Sequence, residues 1–249
     1  MFSWLNFITR RPRTTLLLLA LGAAASQPAF AQKKGKAATA AVATGPQRLQ
    51  PLFGGVSPAQ AQQVVGATVL ADIDRSFASR PEASRFFSQK GYEYLQENQP
   101  DTAAVRFNLA YALDPKNADA YRGLAVLMSQ RPDSSPEAIQ ALLAQGLAVA
   151  PADSRLLNDA ATNTLSRYEQ TKKKKDLTLA ADYAQRAIAA DSTNANAWQT
   201  TARVRYFQED YASAWVAVHK GQNYSLGSLD FGFLSELMAK APDPQGKFK

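Results

Sequence analysis

Cysteine is absent from this 249-residue chain, and its single histidine stands at position 219. The first absence excludes disulfides, thiolate metal sites, a cysteine nucleophile and lipid attachment at a processed cysteine. Nor is there a glycine-rich phosphate loop, because Gly54-Gly55 lacks the strand-to-helix context that gives such glycines meaning. Aspartate and glutamate are dispersed without metal-ligand spacing. His219 directly follows Val218, a core position, and is expected to face solvent, with Asp210 and Ser213 near it only in sequence. The sequence therefore points to no catalytic residue, no metal and no cofactor.

Long apolar runs are equally scarce. Leu16 to Ala25 is the most apolar stretch, well short of the ~20 residues that span a bilayer. Arg10, Arg11 and Arg13 precede it and Ala29-Phe30-Ala31 comes after it, so residues 1–31 read as a secretory signal peptide cleaved near Ala31. Pro12 and Arg13 break the twin-arginine pattern that Thr9-Arg10-Arg11 begins, which favours the general export route. The expected destination is the periplasm or cell surface of a bacterium. The formal charge of +7 owes three units to those arginines, and 25 basic against 21 acidic residues remain beyond them. That surplus is too mild to imply nucleic acid.

What is present is a folded composition, 46% hydrophobic and 20% charged. Residues 32–56 are rich in Ala, Gly, Lys, Thr and Pro without periodicity and read as a flexible tether, with Leu52 and Phe53 a lone apolar pair inside it. Ser57-Pro58 then opens a helix striped by Val64, Val65, Val69, Leu70, Ile73 and Phe77, an N-terminal cap for the helices beyond it. Helix signals place those helices over 82–97, 101–113, 118–130, 136–149, 154–169, 177–190, 195–208 and 211–221. Ser228 to Lys240 makes a C-terminal cap, and residues 241–249 a loose tail after Pro242 and Pro244.

These helices repeat. Counting from Pro115, Ala103, Phe107 and Ala110 lie before it and Tyr121 and Ala125 after it. The same offsets from Pro151 give Ile139, Leu143, Gly146, Leu157 and Ala161, and from Ser192 they give Ala180, Ala184, Ala187, Trp198 and Ala202. Small residues thus recur where helices approach, and large ones where a gap must be filled. Phe87, Gly91, Tyr94, Ala103, Phe107, Ala110 and Pro115 resemble the signature of the tetratricopeptide repeat (TPR) family, a helix-turn-helix unit of ~34 residues. Lys90 departs from the usual leucine, the third unit carries about seven extra residues around Lys172 to Lys175, and the fourth has Leu226 in place of a closing proline. The resemblance implies an all-α fold: a right-handed TPR-like α-solenoid of about four units over residues 57–240, with capping helices at both ends.

It also implies a concave groove lined by the first helix of each unit and holding a peptide or protein segment. Carried over by position, the groove residues are Arg85, Ser88 and Tyr92; Asp119, Arg122 and Val126; Asn158 and Thr162; Gln199, Arg203 and Tyr206. Ser88 and Tyr92 occupy two positions of the family's carboxylate clamp, so that specialised activity is not implied. The leading expectation is a non-enzymatic scaffold of the cell envelope that binds an envelope or secreted protein. The alternative is envelope lipid or polysaccharide binding through Lys172, Lys173, Lys174 and Lys175, a basic loop able to touch an anionic membrane surface.

Overall fold

A computed structural model describes residues 45–248. The signal-peptide reading of residues 1–31 lies outside the described residues, as does the tether reading up to residue 44. After a 3-10 turn at Pro46–Leu49, the described residues form twelve helices: α1 (Leu52–Gly55), α2 (Pro58–Val65), α3 (Ala67–Ser76), α4 (Arg80–Gln96), α5 (Pro100–Leu113), α6 (Ala118–Ser129), α7 (Pro136–Val149), α8 (Ser154–Thr171), α9 (Lys174–Ala190), α10 (Ala195–Phe207), α11 (Tyr211–Tyr224) and α12 (Phe231–Lys240). No strand occurs among the described residues. The pairs α4–α5, α6–α7, α8–α9 and α10–α11 form the four units, each packed on the next, with α2–α3 and α12 at the ends. The fold is an all-helical, TPR-like α-solenoid.

The sequence punctuation does what its chemistry requires. Ser57, Ser79 and Ser135 accept hydrogen bonds from the first-turn backbone of α2, α4 and α7, and Asn117, Asp153, Asn194, Asp210 and Asp230 do so for α6, α8, α10, α11 and α12. Proline stands in the first turn of α2, α4, α5 and α7, where its missing N–H costs nothing.

Phe107 explains two glycines of the first two units. Its ring is fully buried between Gly91 of α4 and Gly123 of α6, and a Cβ added to either glycine would come within 2.6 or 2.2 Å of it. Glycine at both positions is what lets three helices close around one ring. A second device recurs between units. Ser84 donates to the carbonyl of Ala110 at 2.7 Å and accepts from Asn117 Nδ2 at 2.8 Å. Ser154, Ala187 and Asn194 repeat this arrangement at 2.8 Å in both bonds. The serine fixes the end of one second helix, and the asparagine fixes the start of the next first helix.

Five expectations need correction. The cap helix is two helices, because Gly66 at φ 91° breaks it between α2 and α3. The tether reading fails over residues 46–56. Residues 46–56 lie on α5, with Leu52 and Phe53 buried in the main core. Leu52, Phe53, Gly54 and Gly55 all have φ between 51° and 85°, a left-handed turn that costs a non-glycine residue roughly 1–2 kcal/mol. Burying Leu52 and Phe53 is worth about 1.5–3 kcal/mol each and outweighs that strain. The basic loop contracts to Lys172 and Lys173, because α8 runs on to Thr171 and α9 begins at Lys174. The extra residues of the third unit therefore lengthen its helices.

The fourth and fifth corrections are at the C-terminus. His219 is 4% exposed and its Nε2 lies 2.8 Å from Asp243 Oδ1, while its ring stacks with Trp215 and Phe248. Val218 and His219 lie three and four residues after Trp215, helical spacings that put both on its buried face. The tail is latched rather than loose. Asp243 accepts backbone hydrogen bonds from Gln245, Lys247 and Phe248, and Trp215 Nε1 donates to the carbonyl of Ala241. Burial works against the Asp243 charge, yet these N–H donors and His219 hold its pKa down at about 2.

Candidate functional site: the inner face of the solenoid

The first helices α4, α6, α8 and α10 touch one another along one side of the stack. Two adjoining hollows open there. The larger, about 560 Å³, lies among α6, α7, α8 and α10, and the smaller, about 340 Å³, lies among α8, α10 and α12. Thr162, Ser166, Gln199 and Thr200 line both, which makes the hollows one continuous trough.

Of the residues assigned to the groove by position, Val126, Asn158, Thr162, Gln199 and Arg203 line these hollows. Asn158 is buried and accepts from Thr200 Oγ1 at 2.8 Å, and Thr162 Oγ1 lies 3.3 Å from the same hydroxyl. Arg203 pairs with Asp230 at 3.2 Å and lies over the Phe233 ring. Arg85, Ser88, Tyr92, Asp119, Arg122 and Tyr206 sit outside the hollows. Arg85 is exposed, and Ser88 is a buried acceptor for Asn117. Tyr206 packs edge-on against Phe233.

Tyr92 and Arg122 belong to a network that joins the first three units. Arg122 lies over the Tyr92 ring and pairs with Asp159 at 2.8 Å, while Arg155 bridges to Asp119 at 2.9 Å. Burial pushes the Tyr92 phenol up to about 12, opposed by Arg122. Burial likewise raises the Asp159 carboxyl above its ordinary value, with Arg122 working the other way. These charges are engaged with one another, so the network rigidifies the wall beside the trough.

Position alone did not reveal Asn163, Ser166, Gln170 and Asn196 as part of the lining. Asn163 Nδ2 donates to the carbonyl of Pro136 and to Gln140 Oε1, both at 2.9 Å, and so ties α8 to the start of α7. The signal available in the sequence was the density of Asn, Thr and Ser in α8, between its apolar positions.

Lys172 to Lys175 lie away from the trough and are all exposed. Lys172 has φ 54° at the end of α8, and its ammonium group rests over the Tyr168 and Phe207 rings. The neighbouring acid, Asp176, is buried and paired with Arg167 at 2.5 Å, which holds its carboxyl below the usual range. Among the described residues, no group of three or more histidine, aspartate or glutamate side chains could hold a metal ion. No described helix is long and apolar enough to cross a membrane.

No family model matches this chain, and no curated protein matches it. Among solved structures, the chain is similar to Pseudomonas aeruginosa PilF, with 22% identity, a TM-score of 0.50, and coverage of 68% of this chain and 79% of that one. A MamA protein structure matches at 13% identity and a TM-score of 0.43, over 68% of this chain and 97% of that one. The likeness to PilF is one of fold: this chain is built as a TPR-like stack of helical hairpins.

Proposed function

We propose that this protein is a non-enzymatic interaction module of the bacterial envelope, exported by its N-terminal segment, that holds a segment of a partner protein in its inner trough. The observation that carries this reading is the continuous trough where α8 and α10 meet α6 and α12. Hollows of about 560 and 340 Å³ are in the range that holds ligands, and fixed helices line them, so little ordering is needed on binding. Two further features support it. Both ends of the solenoid are covered by the chain's own segments, and the charges of the first helices are largely paired within the molecule.

The test is affinity capture from solubilised envelope with the full, naturally processed chain, beside a Thr162→Arg variant. Thr162 is exposed and lines both hollows, so an arginine there fills the trough without entering the core. A partner retained by the wild type and lost by the folded variant supports the reading, and equal recovery by both contradicts it. Export is tested separately by mass spectrometry of the N-terminus in the envelope fraction, where a start near residue 32 is expected.

A further inference from the structure

We infer that the notch between α9 and α10 is a second docking site, built like the seat that residues 46–56 occupy on α5 and open to a tight turn of a partner protein carrying an apolar pair and a carboxylate. It lies apart from the trough. Trp198, Thr201 and Arg205 line it, and at the helical turn of about 100° per residue they point away from Gln199, Thr200 and Arg203, which line the trough.

Residues 46–56 show what such a seat holds. Asn108 of α5 donates from Nδ2 to the carbonyls of Arg48 and Gln50, at 2.7 and 2.8 Å, and Tyr111 Oη donates to the carbonyl of Val56 at 2.9 Å. The turn gripped in this way buries Leu52 and Phe53. Asn108 and Tyr111 stand seven and four residues before Pro115. The same offsets from Ser192 give Gln185 and Ile188 of α9, so an amide donor and a large apolar group recur two units later. The unit between them lacks the amide, because Ala144 stands seven residues before Pro151.

A hollow of about 290 Å³ opens at this place, with Gln185 and Ile188 on one side and Trp198, Thr201, Val204 and Arg205 on the other. Its floor is kept low by Ala184, which stands where the first two units have Phe107 and Leu143. Trp198, Thr201 and Val204 hold the offsets of Tyr121, Leu124 and Leu127 in α6. All three α6 residues are buried, as is Asn108. At α9 and α10, by contrast, Gln185 and Arg205 are exposed and Ile188, Trp198 and Thr201 half-buried. The same register is therefore covered by the chain's own segments at one end of the stack and open at the other.

Charge selects the occupant. Arg205 donates to the neutral Gln208 Oε1 at 3.1 Å, and the Lys220 ammonium group lies 4.6 Å from the centre of the Trp198 ring. Neither forms an ion pair among the described residues, and the neighbouring Asp210 is committed to capping α11. Residues 46–56 of a second copy would bring Arg48 to this basic rim, whereas a turn bearing a carboxylate complements it.

The test is a cyclised peptide with the sequence of residues 46–56, made in its native form and with Arg48→Glu. Each is titrated into the full, naturally processed chain while the indole N–H signals of Trp198 and Trp215 are followed. The inference predicts that the Arg48→Glu peptide shifts the Trp198 signal and leaves that of Trp215 in place, and that the native peptide binds at least fivefold more weakly at low salt. Gln185→Ala should weaken the Arg48→Glu peptide at least tenfold, Arg205→Gln should remove the preference between the two peptides, and Thr162→Arg in the trough should change neither. Equal binding of the two peptides would overturn the carboxylate. A Trp198 shift that survives Gln185→Ala, one that is lost on Thr162→Arg, or no shift with either peptide would overturn the site.

Discussion

The two ends of this solenoid are closed by different chemistry. At the N-terminal end, Asn108 of α5 is fully buried and donates from Nδ2 to the carbonyls of Arg48 and Gln50, at 2.7 and 2.8 Å. Tyr111 Oη adds a bond to the carbonyl of Val56 at 2.9 Å. At the C-terminal end, His219 of α11 holds the Asp243 carboxylate, which in turn gathers three backbone N–H groups of the tail. In both, a polar side chain on a second helix reaches into a segment whose own sequence looks structureless. The N-terminal strap is held by neutral groups and by Leu52 and Phe53, whereas the C-terminal latch depends on an ionised acid. One end should answer to packing changes and the other to pH.

Breaking the strap should give the largest effect. Phe53→Ala empties a fully buried site and is expected to cost about 3–5 kcal/mol in a denaturant titration of the full chain. Asn108→Ala leaves two carbonyls without their donor and should cost about 1–3 kcal/mol. Amide exchange should then rise in residues 46–56 ahead of the rest of the stack.

Acid should separate the ends. The Asp243 pKa lies near 2 in the fold, below its ordinary value of 3.8, so its contribution is complete above the ordinary value and falls away as pH drops from there through about 2. The indole N–H signal of Trp215, bonded to the carbonyl of Ala241, should shift over that window. Asp243→Asn should already show the released signal at neutral pH. The strap's amides have no corresponding titration there. The smallest effect belongs to Lys172 to Lys175: changing all four to Gln should alter stability by no more than about 0.5 kcal/mol, because all four side chains are exposed. A larger loss would mean that Lys172 over Tyr168 and Phe207 holds the third unit to the fourth.

The repeat helices were legible because their signals are local. Ser79, Asn117, Ser135 and Asp153 cap helices at their own positions, and the glycines at 91 and 123 both record the close approach of Phe107. The strap and latch were not, since their partners are distant: Asn108 reaches a carbonyl 60 residues away and His219 a carboxylate 24 residues away. His219 nevertheless left a trace in its spacing from Trp215, which puts both on one helical face. The inner face was legible in outline. Positional carry-over finds Asn158, Thr162, Gln199 and Arg203 where the trough lies, but it does not show that Arg122 is held by Asp159 or that Tyr206 rests on Phe233. Such pairings depend on how neighbouring units stack, which a single unit's pattern does not contain.

The central claim is that, with both ends closed by the chain itself, the trough between α6 and α12 is the surface that meets a partner. Amide hydrogen exchange of the full chain, with and without a partner captured from the envelope, tests it most directly. The account predicts new protection concentrated in α8 and α10, with the strap and the tail unchanged. Protection centred instead on Lys172 to Lys175, or on the exposed Leu226 and Phe231 beside the C-terminal cap, would contradict it.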